Sequence, residues 1–187
     1  VLIDGHDLKL LNKKAVRRHM AIVTQEPFLF TGTIESNITL NRHDLGPEAA
    51  RSALIEVGGE AFLASLGDGI TTKVSERGNE FSSGERQLIS FARALAQDPT
   101  VLILDEATSH IDTETEQIIQ KGIERLSKGR TTLIIAHRLS TIRHASRIYV
   151  LDQGKIVEQG SHADLAAGDG IFANMIEMQT RQTLLPS

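Results

Sequence analysis

Two apolar runs separated by one helix-length segment constrain this chain more than any other feature. VLILD, Val101–Asp105, and TTLIIAH, residues 131–137, are continuous rather than alternating, as expected of parallel strands buried on both faces. Between them residues 114–126 carry helical spacing. Parallel neighbours need a long crossover, so the three segments read as one βαβ unit.

The rest of the chain is read around that unit. Residues 1–4 form a strand closed by Asp4-Gly5, and residues 21–24 a second short apolar strand. Residues 47–58 make an amphipathic helix, with Pro47 at its start and Gly58-Gly59 as its stop. A shorter helical piece spans 60–66. The next helix, 84–96, has Leu88, Phe91, Ala92 and Leu95 on one face. Residues 147–151 and 155–158, around Asp152-Gln153-Gly154, read as a hairpin, and 161–179 as two terminal helices. The expectation is an α/β core lobe, residues 1–33 and 100–187, with an inserted helical subdomain at 34–99.

Composition excludes several classes. At 187 residues the chain buries a real core, and 40% hydrophobic with 24% charged residues argues against disorder. No apolar run approaches the roughly 18 residues of a membrane span, so the piece itself reads as soluble. A net charge of −4 makes no electrostatic case for nucleic acid, although Arg17, Arg18 and His19 cluster, either as a basic patch or as a solvated helix end. Without cysteine there is no disulfide and no thiolate metal site. The chain opens at VLIDG with neither an initiator Met nor a signal peptide, and reads as a fragment.

In open parallel sheets, ligand-binding groups collect beyond the carboxyl ends of the strands. Gln25 follows AIVT, Asp105-Glu106 follows VLIL, and His137 follows TLIIA. Singly, each has a plainer reading: a loop amide, a polar strand end, a capped core histidine. Jointly they suit nucleotide hydrolysis. Asp105 would hold Mg²⁺ through water and Glu106 would act as general base on the attacking water. His137 would donate to the terminal phosphate, and Gln25 would complete the metal and water shell.

The turn Ser82-Ser83-Gly84, ahead of the 84–96 helix, has two readings as well. Exposed backbone N–H groups at a helix start favour an anion, phosphate above all. Equally, Ser82 or Ser83 is an N-cap with Glu85 or Arg86 in the first turn.

The order VTQEPFLFTGTIESNI, FSSGERQ, VLILDEATSHID, IIAHRLSTI resembles the nucleotide-binding domain of an ATP-binding-cassette (ABC) transporter along essentially the whole chain. The resemblance implies a P-loop NTPase-like (RecA-like) fold that uses ATP and Mg²⁺. It makes Gln25 the Q-loop glutamine, and sets Ser82, Ser83, Gly84 and Glu85 on the LSGGQ signature with Phe81 at its leucine. Asp105 and Glu106 become the Walker B aspartate and catalytic glutamate, Asp112 a D-loop residue, and His137 the switch histidine. LFTGTIESNI, TTKVSERG and HRLSTI are similar to the exporter branch, where the domain follows six membrane helices on one chain and the loop around Glu76 faces the membrane part. The partners implied are that transmembrane domain and a second nucleotide-binding domain, on the cytoplasmic side of the cell membrane, with no nucleic acid.

Two departures carry expectations of their own. No GxxxxGK[ST] phosphate loop is present, which implies truncation upstream of Val1, an inactive fragment and an exposed sheet edge. Ser83 replaces a glycine and Glu85 a glutamine of the signature, so this turn would weaken the site held by the opposite domain. An asymmetric heterodimer is therefore favoured over a homodimer. Competing readings are a non-enzymatic binding or dimerisation module, and a soluble ABC ATPase acting on nucleic acid or the ribosome; the latter calls for coiled-coil insertions or basic tracts.

Overall fold

Asp4 and Gly5 reverse the chain between β1 (Leu2–Ile3) and β2 (His6–Asp7). Both have positive φ, 50° and 80°, the two-residue turn whose twist suits a hairpin. The first strand is thus one arm of a tight hairpin. The computed structural model describes residues 1–105, 113–136 and 139–184, with backbone alone for 113–115, 139–140 and 179–184. The chain divides into two compact units, 1–135 and 136–187.

In the first unit, α1 (Lys13–Arg18) is capped by the Asn12 side chain, which accepts from the Lys14 and Ala15 N–H groups. Arg17 and Arg18 fill its exposed last turn, where cations complement the helix dipole. The basic cluster is therefore a solvated helix end. The strand β3 (Met20–Val23) leads through a loop to β4 (Gly32–Thr33), then α2 (Ile34–Thr39), α3 (Pro47–Glu56) and α4 (Glu60–Ser65). Next come β5 (Lys73–Val74), antiparallel to β4, then α5 (Ser83–Ala96), β6 (Val101–Asp105), α6 (Thr113–Ser127) and β7 (Thr131–Ile135).

The predicted βαβ unit is present. The sheet order is β3-β6-β7, all parallel, with Val23 opposite Leu104 and Asp105 opposite Ile135. Ala21, Val23, Leu102 and Leu104 face a core shared with Ile89 and Phe91 of α5 and with Ile119 and Ile123 of α6. Among the described residues burial on both faces is not found. In the next row Ile22 is 62% and Leu133 56% exposed, with Ile103 between them only partly buried. Among the described residues the core packs against one face of the sheet, through alternate residues of each strand.

The middle of α5 is buried almost all round, and α5 packs against α2, α3 and α6. In the second unit, α7 (Leu139–Ile142) precedes the predicted hairpin β8 (Ile148–Asp152) and β9 (Lys155–Gly160), followed by α8 (His162–Ala166) and α9 (Ile171–Leu184). Among the described residues no helix is long and apolar enough to cross a membrane.

Candidate functional site

Parallel pairing decides which loops share an edge. Neighbouring strands lie about 4.8 Å apart, so Val23 and Leu104, paired in register, put the carboxyl ends of β3 and β6 side by side. Gln25 follows Val23 by two residues and is exposed; Asp105 ends β6 and is half-buried. The sheet thus brings Gln25 and Asp105 to one edge. Glu106, Asp112 and His137 lie outside the described residues.

The donor chemistry at this edge fits Mg²⁺. One carboxylate and one amide oxygen are hard donors, and this ion commonly takes one or two carboxylates while keeping several waters. Among the described residues no group of three acidic, histidine or cysteine side chains forms a complete metal cage.

The turn before α5 is a closed capping box. The Ser82 hydroxyl accepts from the Glu85 N–H at 3.2 Å, and the Glu85 carboxylate accepts from the Ser82 N–H at 2.7 Å. Of the alternatives for the cap, Ser82 takes the position and Glu85 closes the box. Phe81 is buried edge-on against Phe62 of α4, with centroids 5.8 Å apart, and the Arg86 guanidinium donates to the Phe81 carbonyl. Ser83 is exposed and Gly84 buried. The first N–H groups of α5 have no partner within the helix, and the Glu85 carboxylate lies back across the turn that carries them.

Glu76 is exposed in a single 3₁₀ turn, Glu76–Gly78. Arg77 there is left-handed, with φ 64° and ψ 3°, a costly geometry for a side chain with a Cβ. Glu80 braces the turn by accepting from the Ser75 backbone N–H at 2.7 Å and from the Ser75 hydroxyl. That hydroxyl bond holds the Glu80 carboxyl below its ordinary value. Gly78, with φ 63°, lies so close to Leu29 that a Cβ would come within 2.6 Å of it. The loop after Gln25 and the loop before α5 therefore touch at Leu29 and Gly78.

Three residues were not foreseen from the sequence: Asn37, Glu80 and Arg93. Asn37 is fully buried on α2; its amide donates to the Phe30 and Thr33 carbonyls and accepts from the Phe30 N–H. Arg93 of α5 donates to the Asn37 carbonyl at 2.7 Å, the Asn37 Oδ1 at 3.1 Å and the Phe28 carbonyl at 3.0 Å. Its guanidinium also lies 5.6 Å from the Phe30 ring centroid. Burial lowers its pKa, and an arginine stays charged all the same. A readable signal for Arg93 is its setting in FARAL, a lone charge between apolar residues on a helix meant for the core.

Residues 1–109 match the family model described as ABC transporter. The chain is 54% identical over 182 residues to a probable multidrug resistance ABC transporter ATP-binding/permease protein of Bacillus subtilis, covering 97% of this chain and 27% of that protein. It is 45% identical to the ABC multidrug transporter MDR2 of Trichophyton rubrum, over 96% of this chain and 14% of the relative. The structure of a bacterial Atm1-family ABC exporter with ATP bound superposes with a TM-score of 0.88 at 41% identity, over 96% of this chain and 32% of that one. The chain thus spans about a third or less of these relatives, and shares with the last of them a P-loop NTPase-like fold.

Proposed function

This chain belongs to the ABC transporter family, and we propose on that premise that it binds and hydrolyses ATP to drive export across a membrane. The observation that supports the reading is the in-register pairing of β3 and β6, which brings Gln25 and Asp105 to one edge of the sheet, with Glu106 next in the chain. In this reading residues 34–99 are a helical lobe bearing the signature turn, and 1–33 with 100–187 are the core lobe on the nucleotide side.

Asp105 and Gln25 would hold Mg²⁺. When bound, the ion would neutralise and orient the phosphate oxygens. Glu106 takes the proton of the attacking water as general base, and His137 donates to the terminal phosphate as charge builds there. The turn Ser82-Ser83-Gly84-Glu85 and Asp112 reach the nucleotide of a second nucleotide-binding domain, docked head to tail. ATP then pulls two domains together, and hydrolysis lets them part. In this reading Glu76 faces the transmembrane domain, and the chain lies on the cytoplasmic side of the membrane. Multidrug relatives support an exporter of this broad type.

The departures at Ser83 and Glu85 favour a heterodimer. In that pairing the chain brings Glu106 to one composite site and a weakened signature to the other.

The test is Glu106→Gln in the full-length transporter, with ATP binding and steady-state hydrolysis measured together. Binding is expected to persist and turnover at this chain's site to fall at least about 100-fold, the lower range for loss of a general base. Retained hydrolysis at that site would remove Glu106 from the role.

A further inference from the structure

Arg93 of α5 ties the loop that follows Gln25 to that helix. It stands about 15 Å along the helix axis from Ser83 at a rise of about 1.5 Å per residue, far from the turn itself. From there its fork takes the Phe28 carbonyl, three residues past Gln25, together with both the carbonyl and the side-chain oxygen of Asn37. Asn37 in turn takes both backbone groups of Phe30. Among the described residues no carboxylate pairs with Arg93. A desolvated guanidinium is costly unless its donors are matched, and here they are matched by oxygens that fix the path of one loop.

The elements joined are the ones the proposed function assigns to two different nucleotides. Gln25 belongs to the site of this chain, and the N-terminal turn of α5 to the site of the other. We infer that Arg93 is a positioning residue that fixes the Gln25 loop to the signature helix, so that the two move as one body. The inference rests on the roles given above to Gln25 and to the turn. The apolar contact of Leu29 with Gly78 ties the same loop to the segment entering α5, so two independent contacts hold one relation. Lysine does not substitute, because a point charge on a flexible stem lacks the planar fork that meets three acceptors at once.

The experiment is a double-mutant cycle in the full-length transporter: Arg93→Lys, Gln25→Ala and both together. Arg93→Lys is expected to lower kcat about 10-fold with the KM for MgATP changed less than about twofold, as displacement of a positioned group does. In the Gln25→Ala background the same substitution is expected to cost less than about twofold, because its effect passes through Gln25. Amide hydrogen exchange without nucleotide gives a second readout. Exchange at Phe30 should quicken about 10-fold in Arg93→Lys while the α5 amides keep their protection.

An equal loss of kcat in both backgrounds overturns the inference and leaves the function standing, as does loss of protection along α5, which would make Arg93 a stabilising residue only. Unchanged kcat in Gln25→Ala alone removes the role of Gln25 and the inference with it. Should Arg93→Lys fail to assemble, Asn37→Ser, which removes the side-chain acceptor, is put through the same kinetic cycle and judged by the same criteria.

Discussion

Glu80 sits on the surface, yet its carboxylate holds the Ser75 hydroxyl and N–H across a turn that contains a left-handed Arg77. The bond from the Ser75 hydroxyl, and then that from its N–H, favour the charged form and hold the carboxyl below its ordinary value. A carboxyl depressed in the folded state adds stability above its unfolded value and loses it as pH falls through the lowered one. The contribution is therefore complete near neutrality and disappears below the ordinary carboxylate range. In thermal unfolding of wild type and Glu80→Gln, the wild type should melt higher at about pH 6, with the gap closing towards about pH 3. A gap that persists at low pH would mean the ionised carboxylate is not its source. The capping box of Ser82 and Glu85 was legible in the sequence because partners three residues apart meet in any helix start. The Glu80 bond was not, because it depends on an Arg77 φ that local preference disfavours.

Elements were legible where their period or punctuation was strong. α3 runs from Pro47 and halts before Gly58, whose φ is 93°, and the α5 region stood out by its apolar face. α2, six residues long, was missed because it is too short to show a helical period. The two-residue strands β4 and β5 carry no alternation at all. What positions the candidate site lies mostly in such unmarked pieces: α2 supplies Asn37, and the loop before α5 supplies Gly78. Gly78→Ala tests that view. It places a Cβ on a residue at φ 63° and 2.6 Å from the Leu29 Cδ1 atom, so it carries both backbone strain and overpacking. Together these amount to a loss of about 2–4 kcal/mol in chemical denaturation. A cost under about 0.5 kcal/mol would show that the two loops part freely, and that Leu29 does not hold the Gln25 segment in place.

At the scale of the molecule, the proposed function gives one chain groups for two sites, and these groups lie at different elements of the fold. Gln25 and Asp105 stand at the sheet edge, whereas Ser82 to Glu85 open α5. Motif order along the chain made these two positions legible, since strand ends and helix starts are local features. The direction of the Glu85 carboxylate was not legible, because a surface glutamate can equally turn to solvent. It is held on the Ser82 N–H at 2.7 Å, so its charge stays at the turn. At an effective dielectric of about 20 and a separation of about 4 Å, a unit charge there opposes a phosphate oxygen by about 4 kcal/mol, and solvent screening brings this down to about 1–2 kcal/mol. Glutamine keeps an acceptor for the cap and removes the charge. Glycine at Ser83 removes a Cβ from the approach to backbone. In the full-length transporter, paired as proposed, Ser83→Gly with Glu85→Gln should therefore raise hydrolysis at the site this turn is proposed to serve by about 10-fold, a difference of about 1.4 kcal/mol. The gain should survive Glu106→Gln in this chain, because that residue is assigned in the proposed function to the other nucleotide. Site-resolved hydrolysis that does not change on restoring the turn, or that returns to baseline when Glu106 is replaced, would show that the two sites are not divided between the sheet edge and the helix start.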